Sequence, residues 1–412
     1  MEKMTTIKII SVLTVLHVAS YVCGQTVNTG ALTIAPDTQV STLGDFDNRA
    51  GGDMINDGEF FVYGHFKNDG LLSFSPGQAT GLVRFEGMYG AQDISGEGLS
   101  EFFGVRFDNP ATQPAFRLSG DITVNGNAQF VDGIVYNRSG GGLVDFGPEA
   151  SHEQVSDRSF VDGQVRKTGD APFDYPVGNG GYYRGASASG LSDIEGYFTS
   201  NYTLENSDAR HSHFNKEERI VFIDNEEYWE INRTGGTSDM VLSLTWHEET
   251  TPAELLSEED GKAIHIVRWD GAKGLWVDEG GVENHEEQMV TTAVSGYGIF
   301  TLAKVLDEEK PDNSLEVYNG ISPNGDGKND FFYLKGIEHY PDNTVEVYNR
   351  WGVLVYEAKG YNNTDVRFNG YSRGRATINK GKLLPTGTYF YILKYKAEDG
   401  RAKDRSGYLY IN

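Results

Sequence analysis

Between residues 28 and 195 one short phrase keeps returning: a few alternating residues, then a turn built on Asn, Asp and Gly. "INDGEF" (55–60) and "KNDGLL" (67–72) place Asn-Asp-Gly twice, twelve residues apart. "GLLSF" (70–74), "GLVRF" (81–85) and "GLVDF" (142–146) share a pattern, and "FVDGIV" (130–135) and "FVDGQV" (160–165) are near copies thirty residues apart. Each unit is a short strand followed by a turn that needs positive φ, which Gly and Asn adopt at least cost. Strands this short cannot bury one face alone, whereas stacking them as rungs builds a continuous core. The irregular spacing predicts a β-solenoid, parallel β-helix-like, over residues 25–195, because rungs tolerate loop insertions. An up-and-down meander is the alternative. The run "DAPFDYPVGNGGYYR" (170–184) is placed to cap or close the stack.

From 196 to 306 the texture changes to longer period-2 strands, among them "ERIVFI" (218–223), "MVLSLTW" (240–246), "AIHIVRWD" (263–270) and "YGIFTLAKV" (297–305). Their intervals predict an immunoglobulin-like β-sandwich, with Trp246, Trp269 and Trp276 in its core. Charged residues 307–313, with Pro311, read as a linker. Residues 314–412 read as a second small sandwich, in which "NTVEVYNRWGVLVYEA" (343–358) is a hairpin and "TGTYFYILKYK" (386–396) is a long strand. With 51 Gly, 23 Tyr, 22 Phe and no long helix-period run, the expected class is all-β.

The first 24 residues pair Lys3 and Lys8 with an apolar stretch too short to span a membrane comfortably, and predict a signal peptide cleaved between Gly24 and Gln25. Cys23 raises a lipoprotein alternative, but Ser20, Tyr21 and Val22 make a poor lipidation box. Cleavage would leave no cysteine, which suits a bacterial exported protein. Residues 25–313 carry 19 basic and 48 acidic side chains, a net of −29, while 314–412 carry 14 and 11, a net of +3. So acidic a body argues against nucleic acid as a partner.

Four separated motifs then stand in order: Pro323, Asn324, Gly325, Asp326, Gly327, Asn329 and Asp330; Tyr348, Asn349, Arg350, Trp351 and Gly352; Leu384, Pro385, Gly387, Thr388 and Tyr389; Gly407 and Tyr408. Over about 317–412 they resemble the gliding-motility-associated C-terminal domain of Bacteroidetes, the type B sorting domain of the type IX secretion system. Two departures are the polar insert at 373–382 and Phe368-Asn369-Gly370, where the family often has Trp before the glycine. The resemblance implies transfer to the periplasm, then passage across the outer membrane, with the secretion machinery and an outer-membrane β-barrel as partners. Residues 28–195 more weakly resemble solenoid repeats of Bacteroidetes surface proteins, which implies an adhesin-like or structural role.

No catalytic set emerges. Asp45, Asp47 and Asp53, and Asp170 and Asp174, are close in sequence, and a glycan lyase or hydrolase on a β-helix is the enzymatic alternative. His211 and His213 share one face of an extended segment without a third ligand nearby; His247, His265 and His285 are scattered. In "ISPNGDGKNDFF" (321–332), placing Gly327 at position 6 of a calcium loop puts Ser322, Asn324 and Asp326 at positions 1, 3 and 5, but Tyr333 at position 12. A structural turn fits better, so no cofactor is expected, with Ca²⁺ as the alternative. Glycans, other surface proteins and a second copy of the chain are the remaining candidate partners, the last as in a self-assembling surface filament subunit, the further functional alternative.

Overall fold

The computed structural model describes residues 24–257, 261–306, 315–350, 352–372, 381–396 and 402–412. The signal peptide and linker expected at 1–24 and 307–313 fall almost wholly outside these residues. Among the described residues only the helical turn Ala253–Leu256 and two short 3₁₀ turns interrupt an all-β chain.

The N-terminal strands repeat in threes, one per face of a triangular coil. The first face carries Thr26–Asn28, Phe46–Asn48, Phe66–Asn68, Gln92–Ser95, Phe116–Leu118, Val135–Tyr136 and Val161–Asp162, all parallel. The second runs from Ala31–Ile34 to Val165–Thr168 and the third from Gln39–Thr42 to Ser151–Glu153. This is the β-solenoid, and parallel pairing excludes the meander. Rung length varies: Asp53 lies beside Leu71, whereas Leu71 lies beside Leu99.

Three devices hold the stack. Inward residues form an aromatic column from Phe46 through Phe66, Phe85 and Phe107 to Phe130, with neighbouring centroids 5.4–5.9 Å apart. Each such ring contributes about 1.5–3 kcal/mol through burial. Asn28, Asn48 and Asn68 form an amide ladder at one corner, each Nδ2 donating to the next Oδ1 at 2.8 and 2.7 Å. Asn68 Nδ2 then donates to Leu99 O and Ser100 Oγ. Beside it the turns need glycine, since a Cβ on Gly98 would stand 2.1 Å from Gly70 O.

At the far end the pairing direction reverses. Val165–Thr168 pairs antiparallel with Tyr197–Thr203, and the sheet continues through Tyr228–Gly235, Gly298–Leu306, Lys262–Asp270 and Leu275–Asp278. A second sheet, Phe173–Tyr175, Ala186–Ser189, Val241–Thr245, Met289–Ala293 and Val282–Asn284, faces it. The aromatic run at 170–184 thus supplies a strand to a sandwich layer, and one core extends from Ile34 to Leu302. Pairing turns antiparallel from Val165–Thr168 onward, ahead of the expected boundary at 195, and the second-face sheet runs on through the change.

Candidate functional site: the C-terminal module

Residues 315–412 have a separate core. Phe332, Leu334, Ile337, Val345, Val347, Val355, Tyr361, Phe368, Tyr391, Leu393 and Leu409 are buried together. The five-stranded sheet runs Gly320–Ile321, Ala402–Ile411, Gly387–Lys396, Asn343–Tyr348, Leu354–Lys359. Inside it, Asn343 Nδ2 donates to Tyr340 O and Tyr361 O while its Oδ1 accepts Tyr361 N–H. Tyr361 donates its hydroxyl to Phe332 O at 2.5 Å and accepts Phe368 N–H at 2.9 Å. Burial drives that hydroxyl's pKa upward, so it remains a donor.

The loop at 321–332 turns inward on itself. Asp330 Oδ1 and Oδ2 accept the amides of Gly325 and Gly327 at 2.7 and 2.8 Å. Asn324 Oδ1 accepts Asp326 N–H, and Asp326 Oδ1 accepts Lys328 N–H. Gly325, Gly327 and Asn329 have φ of 79°, 82° and 54°. Such Asx turns account for the Asn, Asp and Gly types through their backbone geometry. Pro323 lies under the turn at Gly370, where a Cβ would meet its ring at 2.9 Å.

The second motif closes the hairpin after Tyr348. Asn349 Oδ1 and O accept Val353 N–H and Gly352 N–H, both at 2.9 Å, and Gly352 sits at φ 71°. Arg350 lies close enough to Tyr389 to oppose the rise that burial imposes on its hydroxyl. Trp351 falls outside the described residues. In the third motif Leu384 N–H donates to Gly370 O and Pro385 O accepts the Tyr389 hydroxyl. Gly387 and Thr388 begin the long strand opposite Ile411 and Tyr410. Gly407 lies opposite Tyr391, where a Cβ would stand 2.7 Å from the Tyr391 hydroxyl.

The sheet's other face meets the preceding domain. Tyr348 and Phe390 stack with centroids 4.8 Å apart and planes 7° from parallel. With Ile392 they bury against Val241, joined by Ala293, Leu354 and Tyr408. Gly352 approaches Ser189 so closely that a Cβ would stand 2.3 Å from its Oγ. This contact was not foreseen. Its signal was the strand "TYFYIL", apolar on both faces, which indicates a layer covered on both sides.

These observations meet in one comparison. Residues 315–411 match the family model of the CHU_C Type IX secretion signal domain. The tail is a type IX secretion signal domain. The signal implies engagement with the secretion machinery and export across the outer membrane, to the surface or the medium. A comparison of the chain with curated proteins found no match.

The other candidates lie elsewhere. Asp47 is on the first solenoid face and pairs with Arg49, whereas Asp53 begins a strand of the second face. Asp45 Oδ1 accepts His65 N–H. Asp170 and Asp174 are exposed, and Asp174 O bonds His152 Nε2. The His211 ring lies on Trp269 at 4.9 Å, and His213 Nε2 meets Ser207 Oγ at 2.9 Å. Burial holds both imidazoles below their usual pKa. His265 pairs with Asp278, His285 with Glu283, and His247 Nδ1 accepts Glu249 N–H. Among the described residues no group of three His, Cys, Asp or Glu is placed to hold a metal. Trp246 and Trp276 are core residues, and Trp269 packs against the core around Trp276. A shallow groove follows the glycine corner, lined by Glu97, Asp121 and Thr123.

Proposed function

We propose that the chain is a non-enzymatic surface protein of a gliding-type bacterium, adhesin-like or structural, carried out by its signal domain. The observation that carries this reading is the pairing of a signal domain that has its own core with a long solenoid. The solenoid's buried phenylalanines fill the internal column, and corner glycines such as Gly58, Gly70 and Gly98 serve backbone packing. Its outer faces carry ion pairs such as Arg84–Glu86, Arg106–Asp108 and Arg166–Asp145, beside exposed Met88, Tyr89 and Leu99. Such a rod displays surface at a distance from the cell, and surface proteins and glycans are the partners it suits.

Deleting 315–411 and fractionating the cells tests the route: the shortened chain should stay in the periplasm. Attachment of deletion and complemented strains to polysaccharide-coated surfaces tests the role, with equal attachment refuting adhesion. Polysaccharide turnover abolished by Asp45→Asn or Asp174→Asn would favour the lyase or hydrolase instead.

A further inference from the structure

The two ends of the solenoid are finished differently. At the C-terminal end all three faces are covered. Val161 bridges to Val177, Val165–Thr168 is paired by Tyr197–Thr203, and Phe173 packs on the His152 ring 5.4 Å away. At the N-terminal end Thr26–Asn28, Ala31–Ile34 and Gln39–Thr42 each have a strand neighbour on one side only among the described residues. Three adjacent edges therefore present unpaired N–H and C=O groups in one plane. Between them Leu32 and Val40 pack on the core yet remain half-buried, and Asn28 is the open end of the amide ladder.

Exposed edges are ordinarily blunted by charge, Pro or a bulge. The strand sequences TVN, ALTI and QVST contain no charged residue and no Pro. From Gly24 to Gly44 the sole charged side chain is Asp37, in a body of net −29 over residues 25–313. Two such acidic bodies repel one another over most of their surface. This end is where they can meet without placing like charges face to face.

We propose that the N-terminal rung is a self-association face at which two copies stack end to end. A twofold axis across the stack sets the facing strands antiparallel, so that edge pairs with edge and Leu32 and Val40 are covered. The unit is then a double-length rod with a signal domain at each far end. This reading rests on the rung and on removal of residues 1–24 at the expected signal-peptide cleavage, and not on passage across the outer membrane.

The test is sedimentation velocity of the chain beginning at Gln25, across a dilution series, beside the triple variant Val27→Asp, Thr33→Asp, Ser41→Asp. These three side chains are exposed, so the fold should survive; an unchanged circular dichroism spectrum and melting temperature verify that. The expected result is a concentration-dependent dimer for the parent and a twofold lower mass for the variant. Since the chain from Gln25 has no cysteine, Val27→Cys adds a second readout, an interchain disulfide under oxidation. A parent that is monomeric at every concentration, or a dimer that tolerates the three carboxylates, overturns the proposal. A monomeric parent would leave this end to a different chain.

Discussion

Replacing Asn48 with Ala would show how far the solenoid depends on its amide ladder. Asn48 is fully buried. Its Nδ2 donates to Asn68 Oδ1 and Leu71 O at 2.7 and 3.1 Å, and its Oδ1 accepts Asn28 Nδ2 at 2.8 Å. Three bonds at about 1 kcal/mol each give a loss of about 3 kcal/mol. Solvent partly compensates Asn28, and Asn68 Oδ1 keeps the Gly70 amide, so about 2–4 kcal/mol is expected. Asn48→Asp should cost more at neutral pH, because a carboxylate oxygen then faces Asn68 Oδ1. The new carboxyl has a raised folded pKa, so its penalty shrinks as pH falls towards about 4. The assay is urea unfolding followed by hydrogen exchange of the first-face amides, because a solenoid of coupled rungs need not unfold in one step. If Asn48→Ala shifts those opening free energies by less than about 0.5 kcal/mol, the ladder contributes nothing net and the reasoning fails.

Three other outcomes are expected. Burial, reinforced by Glu227, holds Asp224 well above the usual carboxylate range, and its Oδ2 has no hydrogen-bond partner. A raised folded pKa means its ionisation costs stability as pH rises above about 4, so Asp224→Asn should raise the melting temperature at pH 7 and leave it unchanged in acid. Asp330→Ala should destabilise the signal domain by about 1–3 kcal/mol through the freed Gly325 and Gly327 amides, read by chemical denaturation, while EDTA should leave the parent's melting temperature unchanged. Val241→Asp should uncouple the signal domain from the sandwich without unfolding either, seen as a lower-temperature calorimetric transition for residues 315–412; an unchanged thermogram would show that the Tyr348–Phe390 face adds no coupling.

Much of the architecture was written locally. Short strands alternating with Asn-Gly turns can satisfy their backbone and bury a face only by stacking, so solenoid and all-β class followed from 28–195. The signal domain was legible because its turn chemistry is local: Asp330, Asn349 and Pro385 bond to groups within five residues. Register was not legible. The copies "FVDGIV" and "FVDGQV" suggested a thirty-residue step, yet Val135 lies beside Val161, so the copies occupy different corners. Likewise Asn-Asp-Gly at 56–58 joins the second face to the third, while 68–70 joins the first to the second. Gly133 and Gly163 take positive φ while Gly58 and Gly70 do not, yet at Gly58, Gly70 and Gly133 alike the preceding rung's backbone leaves no room for a Cβ, so local likeness says "corner" without saying which.

By itself the sequence determined the strands, the turns and the tail's address, because each depends on residues a few positions apart. Only the tertiary structure decided which strand lies on which, how the solenoid sheet runs unbroken into the sandwich, and what covers the apolar face of Tyr348 and Phe390. Those depend on pairings across tens to hundreds of residues, where burial and hydrogen-bond complementarity choose among many locally equivalent partners.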